Sequence, residues 1–394
     1  MHLTKGFIFV LAMLSASPSM AQAMQGAPGQ ANGRAEPGPA LDPHVKLAAE
    51  QYAELEKDYA PLLSAYLAGT ASEDDLAPKF AALASTPGLE DRLDVWVNAY
   101  PASYPARLAR GLYRVAAAWR LRGDRFVDKT TDNQLKGFTD GLNQATADLN
   151  ASIKLYARPV WSYTALIMVY RGQGANLDDA RRLLDKALKI DPQAYGPRME
   201  YQIMLTPKWG GSVDLLESFA KECNQSAMSK KNKERIEARH HAYVAEAAQL
   251  ERDYKRASDE YFKAYEIERE PRRLLQSGQS AQDGSLMDLA FQRFDALVKA
   301  HPQYPFGYNK RGGMYESQFK NDEKAFKDYM AAAELGNSFA QNRVGWWYMT
   351  GKHVAKDYER AELFFRRAAD QRNETAIANL ASLKALRKTA AATP

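Results

Sequence analysis

Apolar positions recur at helical spacing through most of the chain. In four segments two alanines lie seven residues apart on an amphipathic pattern, and a fifth segment has leucine at the second place: Ala180/Ala187, Ala257/Ala264, Ala290/Leu297, Ala325/Ala332 and Ala361/Ala368. From Ala257 onward the steps between pairs are 33, 35 and 36 residues. A period in the mid-thirties is typical of stacked helix-turn-helix repeats, because one hairpin buries its apolar face only against its neighbours. The pattern predicts an all-α fold, an α-solenoid of stacked hairpins.

Short joints containing proline separate the predicted helices. Ala99-Tyr100-Pro101 and Ala300-His301-Pro302 follow one pattern, and Ile190-Asp191-Pro192 stands in the equivalent place after a third helix. Proline disfavours the helical conformation in the residue before it, so each joint ends one helix and allows the next to begin. No segment alternates apolar and polar residues between hairpin turns, and we expect very little strand.

The first residues read as an export signal, which we place at residues 1–21. Lys5 precedes an apolar run from Phe7 to Leu14, and small residues surround Met20 where a signal peptidase would cut. The run is too short to span a bilayer, so no membrane insertion is expected after cleavage. Cys223 is the only cysteine, which rules out an intramolecular disulfide. A soluble periplasmic or secreted protein is predicted.

Composition divides the remainder of the chain. Residues 22–41 are rich in Gly, Pro, Ala and Gln and are predicted to form a disordered leader. An N-terminal helical domain of unknown function is predicted over 42–225, a repeat region over 226–386 and a disordered tail over 387–394.

Three stretches resemble known families. Asp178 to Pro192 is similar to the second helix of a tetratricopeptide repeat, and the spacing from Gly345 through Gly351 and Asp357 to Ala369 resembles a Sel-one-like repeat. In the middle of the chain, roughly 90 to 225, Trp119-Arg120-Leu121-Arg122-Gly123 and the motif from Leu205 to Ser212 resemble an uncharacterised bacterial family. The first two resemblances imply stacked helix pairs, and the third implies helical architecture without a mechanism.

Composition and motifs exclude several functions. The formal charge is +5, but basic and acidic residues are interspersed, so nucleic-acid binding is not expected. No nucleophile elbow, dinucleotide fingerprint or cysteine–histidine pairing is present. His240 and His241 are adjacent on a predicted helix and diverge by about 100°, so they do not suit one metal ion. We therefore predict no enzyme activity, no cofactor and no metal.

Candidate partner-binding residues come from the predicted first helices and the aromatic loops. First helices line the concave surface of tetratricopeptide arrays, so their arginines are candidates to bind acidic or carboxylate-ended peptides; the alternative is ion pairing within the array. Trp209 is either an exposed platform or packs where the repeat period is interrupted, and Trp346 either contacts a partner or is covered by the next repeat. The candidates are Arg110, Tyr113, Arg198, Trp209, Arg311, Tyr315 and Trp346.

These observations favour an exported helical-repeat protein that binds a protein or peptide in the cell envelope, in a scaffolding or assembly role. Two alternatives stay open at this point. One is a cell-envelope hydrolase with its site near Trp209 and Cys223, and the other is a structural secreted protein that self-associates through its repeat ends.

Overall fold

The computed structural model describes residues 43–123 and 130–392. In these two ranges the regular structure is entirely helical, with nineteen α-helices, one 3-10 turn and no strand. The predicted all-α fold is confirmed. The predicted signal peptide and the disordered leader lie outside the described residues.

The chain divides into two compact units, Met1–Ile236 and Glu237–Pro394. The first unit holds α1 (Pro43–Ala48), α2 (Tyr52–Leu67), α3 (Glu73–Ser85), α4 (Glu90–Ala99), α5 (Tyr104–Arg122), α6 (Asp132–Ile153), α7 (Val160–Gln173), α8 (Leu177–Ile190), α9 (Gly196–Met204), the 3-10 turn Pro207–Trp209 and α10 (Val213–Gln225). The division falls inside α11 (Lys230–Leu250), some way after the boundary at 225 that composition suggested.

The second unit continues as a regular array of helix pairs. Its helices are α12 (Tyr254–Glu268), α13 (Pro271–Asp283), α14 (Met287–Ala300), α15 (Pro305–Ser317), α16 (Asp322–Glu334), α17 (Ser338–Thr350), α18 (Tyr358–Asp370) and α19 (Glu374–Ala392). Each of these helices packs on the helix that follows it along the chain. First helices of a pair therefore alternate with second helices, which carry the small-residue ladder.

The ladder residues occupy the helix crossings as predicted. All ten residues of the five pairs are 0% exposed, and the pairs lie on α8, α12, α14, α16 and α18. Alanine suits these positions because only a small side chain lets two backbones approach without a clash or a void. The recurrence seen in the sequence is thus the repeat unit of the structure.

Capping residues fix where several helices begin and end. Ser72 and Asp75 form a capping box at α3, and Asp357 accepts a hydrogen bond of 2.9 Å from the backbone N–H of Arg360 at the start of α18. Gly351 ends α17 in the left-handed conformation with φ +73°. A residue with a Cβ atom is disfavoured there, so the glycine sets the end of the helix.

The last helix differs from the sequence prediction at its end. Residues from 387 onward were expected to form a disordered tail, but α19 continues to Ala392. Arg387 donates a hydrogen bond of 2.6 Å to Glu362 Oε2 on α18, which ties the additional turn to the preceding helix. In the described part of the chain, none of the helices is both long and apolar enough to cross a bilayer.

Candidate functional site

Arg110 and Arg311 have the same surroundings in the two units. Arg110 donates from Nε and Nη2 to both carboxylate oxygens of Asp148, at 2.8 and 2.5 Å, and from Nη1 to Asp94 at 2.8 Å. Arg311 donates in the same way to Asp328, at 2.8 Å for both bonds, and from Nη1 to Asp295 at 2.8 Å. In both cases one aspartate lies 16 residues before the arginine. The two guanidinium groups are thus engaged within the arrays, as the ion-pair alternative describes.

The glycine that follows each of these arginines allows the next helix to approach closely. A Cβ atom at Gly111 would lie 2.8 Å from the side chain of Leu149, and one at Gly312 would lie 3.2 Å from Cβ of Asp328. The helix that carries the aspartate therefore packs closely against the helix that carries the arginine. The Arg-Gly motif has the same structural role in both units.

Three other predicted contact residues are also engaged inside the protein. Buried Arg198 donates to the carbonyl oxygens of Ala194 at 2.6 Å and Pro192 at 3.0 Å. Tyr113 is buried, and its hydroxyl accepts a hydrogen bond from the N–H of Gly88 at 3.1 Å. Tyr315 is partly buried and packs in the core of the second unit. A role for these residues in partner binding stays a prediction.

Trp209 brings together the two motifs that resembled the uncharacterised family. Its ring contacts the ring of Trp119 edge to face, with centroids 6.0 Å apart and an interplanar angle of 89°. Arg171 lies 5.8 Å from one ring centroid and 5.7 Å from the other, and it forms a buried ion pair of 2.6 Å with Glu200. These contacts support the interpretation that Trp209 packs where the repeat period is interrupted. As a partner contact, Trp209 stays a prediction.

Cys223 does not have the surroundings of a nucleophile. Its side chain is buried, and burial raises the pKa of the thiol to about 12 although Arg198 nearby lowers it. The reactive form of cysteine is the thiolate, which is scarce at neutral pH for such a group. The structure therefore offers no support for a hydrolase that uses this residue.

Glu73 is a buried carboxylate at the junction of two helices. Its Oε2 atom accepts hydrogen bonds from the N–H groups of Tyr195 at 2.8 Å and Gly196 at 3.0 Å, where α9 begins. Burial raises the pKa of Glu73 to about 7, the two N–H groups act in the opposite direction, and Asp191 adds to the rise. The Glu73 carboxyl group therefore links two segments that are 122 residues apart in the chain, and its pKa lies near neutrality.

The two adjacent histidines take part in side-chain contacts of the second unit. His241 Nδ1 lies 2.7 Å from Glu260 Oε2. Burial raises the pKa of Glu260, but hydrogen bonds from His241 and Lys263 outweigh it and lower this pKa to about 2. Within residues 43–123 and 130–392, no three His, Cys, Asp or Glu side chains form a group suited to a metal ion.

Glycines mark equivalent positions in three successive first helices of the second unit. A Cβ atom at Gly278 would lie 2.4 Å from the ring of Phe294, one at Gly312 3.2 Å from a side chain of α16, and one at Gly345 2.8 Å from the ring of Phe365. Each glycine therefore lies in close contact with the second helix of its pair, and the three glycines set a common register. In this register, the residues six before, two before and one after the glycine define a common face of the three helices. They are Arg272, Gln276 and Gln279 on α13; Phe306, Lys310 and Gly313 on α15; and Phe339, Arg343 and Trp346 on α17.

The α17 part of this face is an aromatic stripe made by Phe339, Arg343 and Trp346. The three residues share one side of the helix at spacings of four and three. Phe339 is 68% exposed, and the Arg343 guanidinium lies 5.1 Å from the Trp346 ring centroid. Arg343 also bonds to Glu316 on the neighbouring first helix, so the stacked pair is held in place. Phe306, the equivalent of Phe339 on α15, is 41% exposed.

The other end of the face opens into a polar cleft of ≈ 290 Å³. Its lining consists of four carboxamides, one hydroxyl and one charge of each sign: Gln249, Gln276, Gln279, Gln282, Tyr261, Asp283 and Lys310. These residues come from α11, α12, α13 and α15. The cleft therefore lies across three successive first helices.

The sequence pointed to Trp346 but not to its neighbours Phe339 and Arg343 or to the polar cleft. Two signals were available in the sequence. Phe306 and Phe339 are 33 residues apart, one repeat period, and Gln276, Gln279 and Gln282 follow each other at intervals of three. Neither signal separates an exposed face from a buried one, which requires the tertiary structure.

Comparisons with known proteins give one family match and several similar solved structures. The family described as "Domain of unknown function (DUF4034)" matches residues 44–174, which include Trp119 but end before Trp209. A Sel1 repeat protein from Oxalobacter formigenes is 18% identical, covering 53% of this chain and 89% of its own, with a TM-score of 0.37.

Two longer solved structures are also similar to this chain. Yeast Tom70 is 14% identical over 88% of this chain and 87% of its own, with a TM-score of 0.34. The human IFIT1 dimer with m7Gppp-AAAA is 13% identical over 87% and 86%, with a TM-score of 0.37. None of the curated protein sequences matches this chain.

Proposed function

We propose that this chain is an exported bacterial helical-repeat protein that binds another protein of the cell envelope through the aromatic stripe of its second unit. The observation that carries the proposal is the exposed Phe339 beside the stacked pair of Arg343 and Trp346. Aromatic residues and arginine are enriched at protein interfaces, and tryptophan and arginine are among the residues that dominate the binding energy. Side chains of this kind on a rigid helix suit a protein partner.

The surroundings of the stripe support this assignment. Trp346 and Arg343 are restrained by packing and by Glu316, so a partner would not have to order them on binding. Phe306 repeats the exposed aromatic position one period earlier. The partner segment would therefore contact two successive repeats, which is the usual way that repeat arrays extend an interface.

Site-specific photocrosslinking tests the proposal. A photoreactive residue placed at Phe339 is expected to capture one protein in intact cells, and the same residue at exposed Lys221 on α10 serves as the control. Adding Trp346→Ala should reduce the yield of the adduct at position 339 at least about tenfold, since truncating an interface hot spot costs about 2 kcal/mol or more.

A matched variant separates binding from general surface effects. Leu363 on α18 is also an exposed large apolar residue, and Leu363→Ala should leave the adduct at position 339 unchanged. Equal adducts from positions 339 and 221, or equal losses with Trp346→Ala and Leu363→Ala, would contradict the assignment. An adduct between two copies of the chain would instead identify the stripe as a self-association surface.

Export is tested separately from binding. The support for it is the N-terminal pattern of Lys5, the apolar run and the small residues near Ala21. N-terminal sequencing of the protein from a periplasmic or culture fraction should show a start after Ala21 or Ala23. A protein that keeps its N-terminal segment and stays in the cytoplasmic fraction would refute export and leave the binding proposal intact.

A further inference from the structure

The polar cleft of the second unit has a different chemistry from the aromatic stripe. Its four carboxamides come from Gln249 on α11 and from Gln276, Gln279 and Gln282 on α13. Ligand pockets are usually lined by apolar and aromatic side chains with a few polar groups. This cleft has the reverse composition, so its occupant has to be bound mainly by hydrogen bonds.

The geometry points to a binding site for a neutral oligosaccharide in this cleft. A carboxamide presents an acceptor oxygen and a two-hydrogen donor in one plane. Sugar hydroxyls each donate and accept, and neighbouring hydroxyls on a ring can pair with both ends of one carboxamide. Gln279 and Gln282 can therefore complement a ligand covered with hydroxyl groups, beside Gln249 and Gln276, whose carboxamides also bond within the protein.

Hydrogen bonds within the protein orient part of the lining. The Tyr261 hydroxyl donates to Gln249 Oε1 at 3.2 Å, and Gln249 Nε2 donates to Ser280 Oγ at 3.0 Å. Gln276 Oε1 accepts a hydrogen bond of 3.1 Å from Arg273, which restrains the Gln276 carboxamide. Burial raises the pKa of Tyr261, so its hydroxyl stays neutral over the physiological range and keeps its hydrogen-bonding capacity. A preoriented lining lowers the entropic cost of binding.

Charge and size favour a sugar over a peptide segment. Asp283 and Lys310 contribute one charge of each sign, so the lining has no net charge to select an acidic or basic ligand. Tyr261 is buried and is the one aromatic residue among the lining residues, so the lining has little apolar surface for a peptide side chain. A volume of ≈ 290 Å³ accommodates one or two sugar rings.

Saturation-transfer NMR on the full chain with chitotriose, cellotriose and maltotriose as probes tests the inference. At least one of these neutral sugars should bind, and Gln279→Ala combined with Gln282→Ala should weaken its binding about tenfold or more, because each substitution removes hydrogen bonds to the ligand. Circular dichroism of the double variant should match that of the unchanged protein, since both side chains are only partly buried.

Control variants make the outcome decisive. Gln292 is an exposed carboxamide on the second helix α14, and Gln292→Ala should leave sugar binding unchanged. Phe339→Ala should also leave it unchanged, so this inference and the proposed protein interface can fail independently. The inference is overturned if none of the three sugars binds, if Gln292→Ala has the same effect, or if a hydrophilic tripeptide such as Gly-Ser-Gly competes for the same carboxamides.

Discussion

Asp148 holds three arginines of α5 and is the clearest test of the ion-pair arrangement in the first unit. Its side chain is 3% exposed, and it accepts from Arg110 at 2.5 and 2.8 Å, from Arg114 at 2.8 Å and from Arg107 at 3.3 Å. Asp148→Asn keeps the size of the side chain and removes its charge. The guanidinium of Arg110, itself only 11% exposed, then loses its bidentate partner.

The expected loss follows from the cost of leaving a buried charge unpaired. Removing one partner of a buried pair destabilises proteins by about 3–5 kcal/mol. Asp94 is 40% exposed and still accepts from Arg110 and Arg114 in the variant, so part of the charge stays compensated. We therefore expect Asp148→Asn to lower the free energy of unfolding by about 3 kcal/mol, the lower end of this range.

Urea denaturation followed by circular dichroism measures this loss, and hydrogen exchange on α5 and α6 locates it. Helical arrays unfold in steps, so the local measurement is needed beside the global one. Glu217→Gln is the control, because Glu217 pairs with Lys221 on the surface of α10 with side chains 54% and 70% exposed. That change should cost less than about 1 kcal/mol. If both variants lose the same stability, or exchange in α5 is unchanged, the reasoning is wrong.

Three further predictions address close packing, pH and thiol chemistry. Gly278→Ala places a methyl group 2.4 Å from the ring of Phe294 and should destabilise the protein by about 1–3 kcal/mol in thermal denaturation. A methyl group at Gly313 would lie 3.6 Å from its nearest neighbour, the Tyr329 hydroxyl, so Gly313→Ala should be neutral or stabilising. The reverse order of stabilities would contradict the assigned register. Glu73 has a folded-state pKa of about 7, above its ordinary value of 4.5, so its contribution to stability is complete below about pH 4.5 and is lost as pH rises through 7. Relative to the Glu73→Gln variant, the unchanged protein should lose on the order of 3 kcal/mol of unfolding free energy between pH 4 and 9 in urea titrations. Parallel pH curves for the two proteins would refute this. Cys223 should react with a thiol reagent at pH 8 only after denaturation, and rapid labelling of the native protein would show that its burial is misassigned.

The helical fold and the repeat unit could be predicted from the order of residues along the chain. Small residues such as Ala257 and Ala264 have to recur once per helix pair for neighbouring helices to meet closely, so the packing constraint is visible in the linear chain. Capping signals such as Ser72 and Gly351 can also be read from the sequence, because each cap involves backbone groups only a few residues away.

The tertiary structure alone decided which side chains are engaged and which are exposed. Arg110 and Arg343 are both arginines on first helices, yet one is enclosed by Asp148 and Asp94 whereas the other stacks on Trp346 at the surface. Arg343 also pairs with Glu316, so the difference lies in how far carboxylates from other helices enclose each guanidinium, and their distance in space cannot be read from spacing along the chain. Contacts between separate helices, rather than the period of any one helix, therefore determine which side chains lie at the surface.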